Sequence, residues 1–213
     1  MKYGVLIAAV VTALFFRAFL LSVYKVTTQT MAPTLVSGDF ILASKISYGF
    51  KTPWSPDVWF STPAKRGDLV VFQIAGKVYI KRVVAVSQDQ ASYRAGELSI
   101  NSETCRYSEI AAPSEADSGF YEEKCGDSAP RKLIRPRAPA PGADFAAPIR
   151  VATIQLLVMS DNRTPIDGSA VELISVDQII GKPLFVWMSY SSTQDFISDS
   201  LGVRWNRILT KLH

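Results

Sequence analysis

The stretch Val78–Val86, VYIKRVVAV, carries a lysine in an apolar setting. Its alternation predicts a β-strand, because successive side chains of a strand point to opposite faces. Apolar neighbours disfavour the ammonium form of Lys81 and lower its pKa, which a lysine needs to act as a general base. Arg82 cannot take this role, since a guanidinium keeps its proton. The competing interpretation is an edge strand on which the Lys81 tip reaches water. We expect one face with Tyr79, Lys81, Val83 and Ala85, and the other with Val78, Ile80, Arg82 and Val84.

A second candidate segment is the threonine-rich turn in Thr27–Leu42, TTQTMAPTLVSGDFIL. Pro33 and the pair Gly38-Asp39 predict turns on either side of Leu35. A threonine hydroxyl in such a turn commonly bonds to nearby backbone. It can also be a nucleophile when a base lies within reach.

Other catalytic chemistries lack the residues they need. The chain has two cysteines, Cys105 and Cys125, and one histidine, His213. A Cys-His protease or a zinc site requires more ligands than these. The cysteines are either free thiols or a disulfide that closes a loop of about 20 residues. A disulfide would place this part of the chain outside the cytoplasm.

Composition indicates a globular protein with one core. The 213 residues are 48% hydrophobic and 20% charged, enough for a core and a small inserted subdomain. The net charge is +4, with lysine and arginine scattered along the chain. A nucleic-acid binder would gather that charge on one face, so we expect no nucleic-acid partner.

The N-terminal segment Gly4–Tyr24 is almost entirely apolar. As a helix its 21 residues would extend about 31 Å, the thickness of a bilayer's hydrocarbon core. We therefore expect residues 1–25 to be a membrane anchor, with Lys2 inside and the rest of the chain outside. Arg17 would reach the interface by extending its side chain. The alternatives are a cleavable signal peptide, which lacks a clear small-x-small cleavage site here, and a buried core helix.

The remaining chain predicts a mainly β body with antiparallel strands, a barrel or sandwich formed by residues 26–86 and 149–213. Residues 87–148 hold both cysteines and six of the 12 prolines, and we expect them to be an exposed insertion with an extended proline-rich tract at 135–148. Ser47–Lys65 is expected to be a long loop, and Val171–Ile180 a strand or short helix. The predicted strands are Asp39–Ile46, Asp68–Gln73, Val78–Val86, Glu97–Ile100, Val151–Met159 and Pro183–Met188.

Several segments together resemble the type I signal peptidases, membrane-bound proteases with a Ser/Lys dyad. The nucleophile motif of that family, S-x-S-M-x-P-T-L, is similar to TQTMAPTL here, and its base motif Y-[IV]-K-R-V is similar to YIKRV. The blocks occur in the family's order and cover most of the chain outside residues 87–148. They are Thr28–Leu35, Gly38–Leu42, Arg66–Phe72, Tyr79–Val83 and Ser160–Arg163, followed by a closing strand within Gly181–Ser189 and a tail at Leu201–Arg204.

The resemblance implies roles for individual residues. Thr30 would be the nucleophile and Lys81 the general base. The backbone N–H of Thr30 and the hydroxyl of Thr28 would hold the oxyanion, with Met31 beside them in the binding group. No metal or cofactor is implied. Charged residues that would hold the strands around the dyad are Arg82, Asp161 and Arg163.

The implied function is removal of N-terminal signal peptides from exported preproteins. The substrate would be an extended peptide with small residues before the cut, and the enzyme would sit in the bacterial inner membrane with its catalytic domain on the periplasmic side. Three departures stand out: Thr30 replaces a serine, Ser160 replaces a glycine, and the arginine expected after Asp167 is missing. The alternatives are a specialised peptidase that matures a pilus or conjugation protein, and a catalytically impaired relative that acts as a non-enzymatic partner.

Overall fold

A computed structural model describes residues 3–7, 20–51, 58–59, 62–110, 118–136, 147–164, 170–191 and 202–212. The described chain is mainly β, and all pairs of named strands are antiparallel. Two 3-10 helices occur at Val176–Gln178 and Trp205–Arg207. The strands are β1 Leu21–Lys25, β2 Asp39–Ser44, β3 Phe50–Lys51, β4 Val58–Trp59, β5 Leu69–Ile74, β6 Lys77–Ala85, β7 Gln90–Arg94, β8 Glu97–Ile100, β9 Glu103–Thr104, β10 Arg106–Ile110, β11 Ser118–Lys124, β12 Arg131–Pro136, β13 Ile149–Arg150, β14 Gln155–Met159, β15 Val171–Ser175 and β16 Ile179–Ser189.

The largest sheet has seven strands in the order β1-β2-β16-β5-β6-β14-β15. β5 and β6 form a hairpin through the two-residue turn Ala75-Gly76, with Val70 opposite Lys81. β16 pairs with β2 along one part of its length and with β5 along another. This single long strand therefore joins the two halves of the sheet.

Three groups of buried side chains form the core. One lies under the threonine-rich turn and includes Met31 and Leu35. A second packs Val83 of β6 against Val158 of β14. The third surrounds the two cysteines and links β6 and β14 to the smaller sheets.

The sequence-based strands correspond to observed ones, with changed ends. The strand at Glu97–Ile100 has the predicted bounds, whereas the one predicted to start at Val151 starts at Gln155. Val171–Ile180 divides into β15, a 3-10 turn and the start of β16, so both predicted conformations occur there. In the expected loop Ser47–Lys65, the short strands β3 and β4 pair with each other.

The predicted alternation along β6 holds up to Val83 and then fails. Tyr79 packs with the same cluster as Val83, whereas Val84 and Ala85 both face the cluster around the cysteines. The reason is a β-bulge, since Leu157 pairs with Ala85 and the next residue, Val158, pairs with Val83. The expectation that Ala85 shares the Lys81 face is therefore wrong.

The predicted N-terminal anchor is too long at its carboxyl end. Leu21–Lys25 form β1, which pairs with β2 along its whole length, so this part of the segment is not helical. Residues 3–7 are helical, and residues 8–19, including Arg17, lie outside the described part of the chain. Among the described residues, no helix combines the length and apolar composition needed to cross a bilayer.

Most described residues of 87–136 are strands rather than irregular loop. They form a three-stranded sheet, β10-β11-β12, and part of a four-stranded sheet, β13-β7-β8-β9. A parallel bridge between Ile134 and Asn162 connects β12 to the segment after β14. Residues 137–146 of the proline-rich tract and Asp167 lie outside the described residues.

Candidate active site

A pocket of about 140 Å³ lies where the threonine-rich turn meets β6 and the end of β1. The turn contributes Thr28, Thr30 and Met31, and β6 contributes Lys81. Two segments that are far apart in sequence therefore come together at one cavity. Its full lining is Lys25, Val26, Thr27, Thr28, Thr30, Met31, Val78, Tyr79, Ile80 and Lys81.

The two threonine hydroxyls of the turn are hydrogen-bonded to each other. Thr28 Oγ1 and Thr30 Oγ1 are 2.9 Å apart, and either can be the donor. Thr28 is exposed and Thr30 half-buried. The hydroxyl of Thr30 thus has a side-chain partner in another residue of the pocket lining.

The backbone around Thr30 is held from both sides. The N–H of Asn162 donates to the Thr30 carbonyl at 2.9 Å, and Asn162 Nδ2 donates to the Gln29 carbonyl at 3.2 Å. The next side chain, Met31, is 2% exposed and packs in the core with Leu35. Met31 therefore anchors the turn as well as lining the pocket.

Lys81 is 3% exposed, as its place among apolar residues of β6 predicts. Its cross-strand neighbour on β5 is Val70, which is fully buried. Lys81 Nζ lies 3.2 Å from Oε2 of Glu172 on β15. That carboxylate oxygen accepts no hydrogen bond within the described part of the chain. Its contact with Lys81 is therefore an ion pair without the geometry of a hydrogen bond. The edge-strand interpretation is wrong, because β6 lies between β5 and β14.

Next to the site, Arg82 forms a two-pronged ion pair with Asp161. Its Nε donates to Oδ1 at 2.8 Å and its Nη2 to Oδ2 at 2.7 Å, and Thr34 donates to Oδ2 at 2.5 Å. Burial alone would lower the pKa of Arg82, but the Asp161 carboxylate raises it above its ordinary value. The pair therefore stays charged and ties the turn, β6 and the end of β14 together.

Arg163 makes a different connection, toward the three-stranded sheet. Its guanidinium donates to both oxygens of Glu123 on β11, at 2.7 and 2.9 Å. Arg131 and the Tyr107 hydroxyl also donate to this carboxylate. Burial alone would raise the pKa of Glu123, but Arg163 and Arg131 lower it to about 2. Arg163 thus lies outside the pocket and joins two sheets.

Cys105 and Cys125 form a disulfide within the third core cluster, away from the Thr30 pocket. Glu123 lies near both sulfurs, the one grouping of potential metal ligands among the described residues. This grouping is not suited to a metal, because the sulfurs are bonded to each other and the carboxylate is neutralised by arginines.

Several residues around the site carried no sequence signal. Glu172 looks like an ordinary polar position of an alternating strand, and only the neighbouring strands bring it beside Lys81. Glu123 lies in the segment expected to be a surface elaboration, yet it is fully buried. Asn162 belongs to the S-D-N-R block, and that block was the one available hint of its importance.

The chain matches the family model described as signal peptidase, peptidase S26, over residues 2–188. It is 30% identical to signal peptidase I of Pseudomonas fluorescens over 195 residues, covering 82% of this chain and 67% of that protein. It is 28% identical to signal peptidase I of Pseudomonas aeruginosa over 192 residues, with the same two coverages, 82% and 67%. Signal peptidase I of Buchnera aphidicola subsp. Baizongia pistaciae is 42% identical over 82 residues, which is 36% of this chain and only 26% of that protein. This chain belongs to the S26 signal peptidase family.

Proposed function

We propose that this protein is an endopeptidase that removes signal peptides from exported preproteins, with Thr30 as nucleophile and Lys81 as general base. The observation that carries the proposal is the shared pocket, which is lined by both Thr30 and the buried Lys81. A hydroxyl and an amine base at one site are the pair that a hydroxyl/lysine peptidase requires. The family membership supports the same activity.

In the proposed reaction, neutral Lys81 Nζ accepts the proton of Thr30 Oγ1 while that oxygen bonds to the scissile carbonyl carbon. The backbone N–H of Thr30 and the hydroxyl of Thr28 donate to the resulting oxyanion. Lys81 then gives its proton to the departing amine, and the peptide bond breaks. Water, deprotonated by Lys81, attacks the acyl-threonine ester, the bond from its carbonyl carbon to Thr30 Oγ1 breaks, and Lys81 returns the proton to that oxygen.

Thr28 supports this mechanism by its position. Its hydroxyl is 2.9 Å from that of Thr30, so it lies beside the oxygen that attacks the scissile carbonyl, on whose own oxygen the negative charge develops. In the oxyanion role it would leave Thr30 and donate to the substrate oxygen. Loss of one donor of this kind lowers kcat by about 10²–10³.

The size of the pocket fits a substrate with small side chains before the cut. A cavity of about 140 Å³ is well below the several hundred Å³ typical of sites for larger ligands. We propose that an extended peptide lies against the site as an added strand and that an alanine-sized side chain enters the pocket.

We propose that the N-terminal segment holds the enzyme at the bacterial inner membrane, with the β body on the periplasmic side. The apolar composition up to Leu20 supports this, and a spanning helix would end before β1 begins at Leu21. Carbonate extraction of cell membranes tests it: the full chain should stay in the pellet, and a chain lacking residues 2–19 should be released. Release of the full chain would contradict the proposal.

The activity is tested with purified protein and a preprotein that carries an Ala-x-Ala site. Parent protein should cleave it, while Lys81→Ala and Thr30→Ala should each leave no measurable cleavage. Lys77→Ala, an exposed lysine at the start of the same strand, is the matched control and should cleave normally. Cleavage by Thr30→Ala at the parent rate would show that Thr30 is not the nucleophile.

Thr30→Ser separates an active threonine enzyme from a non-catalytic relative. The methyl group of threonine restricts rotation about χ1, so serine should be tolerated and cleave at least as fast. If Thr30→Ser cleaves while the parent does not, the native chain is a pseudoenzyme and the proposed activity is wrong.

A further inference from the structure

The residue beside Lys81 that the proposed mechanism does not use is Glu172. It lies on β15, the edge strand of the seven-stranded sheet, two strands away from β6. Register explains how it reaches the lysine: Val158 on β14 pairs with Glu172 on one side and with Val83 on the other. Glu172 and Lys81 therefore lie diagonally across β14, and a long lysine side chain covers that distance.

The contact is between a buried amine and a partly exposed carboxylate. Lys81 Nζ is 3.2 Å from Glu172 Oε2, with the two side chains 3% and 25% exposed. Glu172 Oε2 is itself inaccessible to solvent and accepts no hydrogen bond from the described residues. A carboxylate oxygen in that position is stabilised chiefly by a nearby positive charge, which Lys81 supplies when its amine is protonated.

The described residues that line the pocket include no acidic group. The titratable groups among the described residues at the pocket are Lys25 on β1 and Tyr79 on β6 itself. The strands on either side, β5 and β14, contribute the apolar Val70 and Val158. Glu172 is the carboxylate seen in ion-pair contact with Lys81.

We propose that Glu172 is a positioning residue that holds Lys81 as its ammonium ion in the resting protein and so sets the pH above which Lys81 can act as a base. This rests on the proposed role of Lys81. The ammonium group releases a proton to solvent, and the neutral amine then accepts the Thr30 proton. The negative charge of Glu172 opposes that first release, so activity requires a higher pH than Lys81 would need without it.

The test uses the full-length protein and reads the protonation of Lys81 without relying on cleavage. Cyanate carbamylates neutral amines only, and peptide mass spectrometry measures the fraction of Lys81 modified at each pH. Glu172→Gln should move the pH midpoint of Lys81 labelling down by about 1 unit or more. Labelling of exposed Lys77 should be unchanged, which also shows that the two proteins are compared under equal reagent conditions.

Three further variants make the result specific. Glu172→Thr removes the charge with a residue suited to strands and should shift the midpoint as Glu172→Gln does. Glu172→Asp keeps the charge and should restore most of the parent behaviour. Glu97→Gln, an equal loss of charge at an exposed residue of β8, should have no effect.

In the cleavage assay, the acidic limb of the pH profile of kcat should move with the labelling midpoint, while KM stays near the parent value. A purely structural role for Glu172 would lower activity at all pH values without moving that limb. An unchanged or raised labelling midpoint in both charge-removing variants would overturn the proposal. If the pH midpoint of Lys81 labelling falls in the charge-removing variants but the parent protein cleaves no substrate, the effect of Glu172 on Lys81 is supported. The proposed protease function is then refuted.

Discussion

The backbone N–H of Asn162 donates a 2.9 Å hydrogen bond to the carbonyl oxygen of Thr30. The two residues on either side of Asn162 make the other connections of the site: Asp161 binds Arg82, and Arg163 binds Glu123. Three consecutive residues thus link the threonine-rich turn, the strand that carries Lys81 and the neighbouring sheet. The position of the Thr30 hydroxyl relative to Lys81 depends on this short segment.

Replacing Asn162 by alanine should lower the rate of catalysis. The variant loses the Nδ2 hydrogen bond to Gln29 and the acceptor for Thr164, while the backbone bond to Thr30 remains. A small displacement of the turn should lower kcat by about tenfold with little change in KM. Steady-state cleavage kinetics measure this. Asn101→Ala, which removes a comparable pair of side-chain hydrogen bonds in a remote hairpin, should keep the parent kcat.

Asp161→Asn should strongly destabilise the protein. Arg82 would keep its charge in a buried position and lose its carboxylate partner, a change that costs about 3–5 kcal/mol. Urea denaturation at pH 7 measures the loss. The double variant Arg82→Met with Asp161→Leu should lose less than the sum of the two single changes, because no charge is left buried. Additive losses would show that the two side chains do not interact.

Glu123 should make stability depend on pH in the acidic range. Its pKa in the folded protein is about 2, against an ordinary value of 4.5, because Arg163 and Arg131 outweigh the effect of burial. A lowered pKa stabilises the folded protein at pH values above the ordinary one. That contribution declines as the pH falls from about 4.5 toward about 2.

Glu123→Gln should therefore lower the free energy of unfolding by about 3–5 kcal/mol at pH 7 and by less at pH 3. Urea denaturation at pH 7, 5 and 3 gives the free energy of unfolding as a function of pH for the parent and for Glu123→Gln. Glu122 is a half-buried neighbour of Glu123 on the same strand, so Glu122→Gln serves as the matched control. Its free energy of unfolding should depend on pH in the same way as that of the parent. A constant difference between Glu123→Gln and parent across this range would exclude the carboxylate as the source.

Gly38→Ala should destabilise the junction between the turn and β2. Gly38 has φ +93°, and a Cβ there would lie 2.0 Å from the carbonyl oxygen of Tyr190. The expected cost exceeds about 1 kcal/mol, measured by urea denaturation. Gly67→Ala is the matched control for backbone strain, since Gly67 has φ +92° but no atom within 4 Å of the added Cβ. If the two variants lose equal stability, contact with Tyr190 contributes nothing.

Removal of the disulfide should destabilise the protein without altering the pocket. The bridge closes a loop with a sequence separation of 20 residues. The chain-entropy model gives about 3 kcal/mol for a loop of this length. The double variant Cys105→Ala with Cys125→Ala should unfold at lower urea concentration and keep the parent KM. A raised KM would indicate that the sheets next to the disulfide take part in substrate binding.

Local sequence pattern was sufficient for the β class and for the strands now seen as β5 and β6, and the apolar neighbours of Lys81 were the signal for its burial. A strand has a period of two, so apolar neighbours at alternate positions predict burial from a few consecutive residues. The same reasoning failed at Ala85, because a bulge depends on the partner strand β14 and leaves no mark on β6 alone.

The pattern of residues also predicted Thr28–Leu35 and Tyr79–Val83 to be the segments that carry the chemistry, and the structure places residues of both in one pocket. Nothing in either segment specifies that they meet, since that requires β1, β2 and β16 to bring the turn against β6. The contact of Lys81 with Glu172, and of Arg163 with Glu123, likewise comes from strand order and register. The sequence determined which residues can react, because side-chain chemistry and strand period are local. Only the tertiary structure decided which charges surround them, because those charges come from strands distant along the chain.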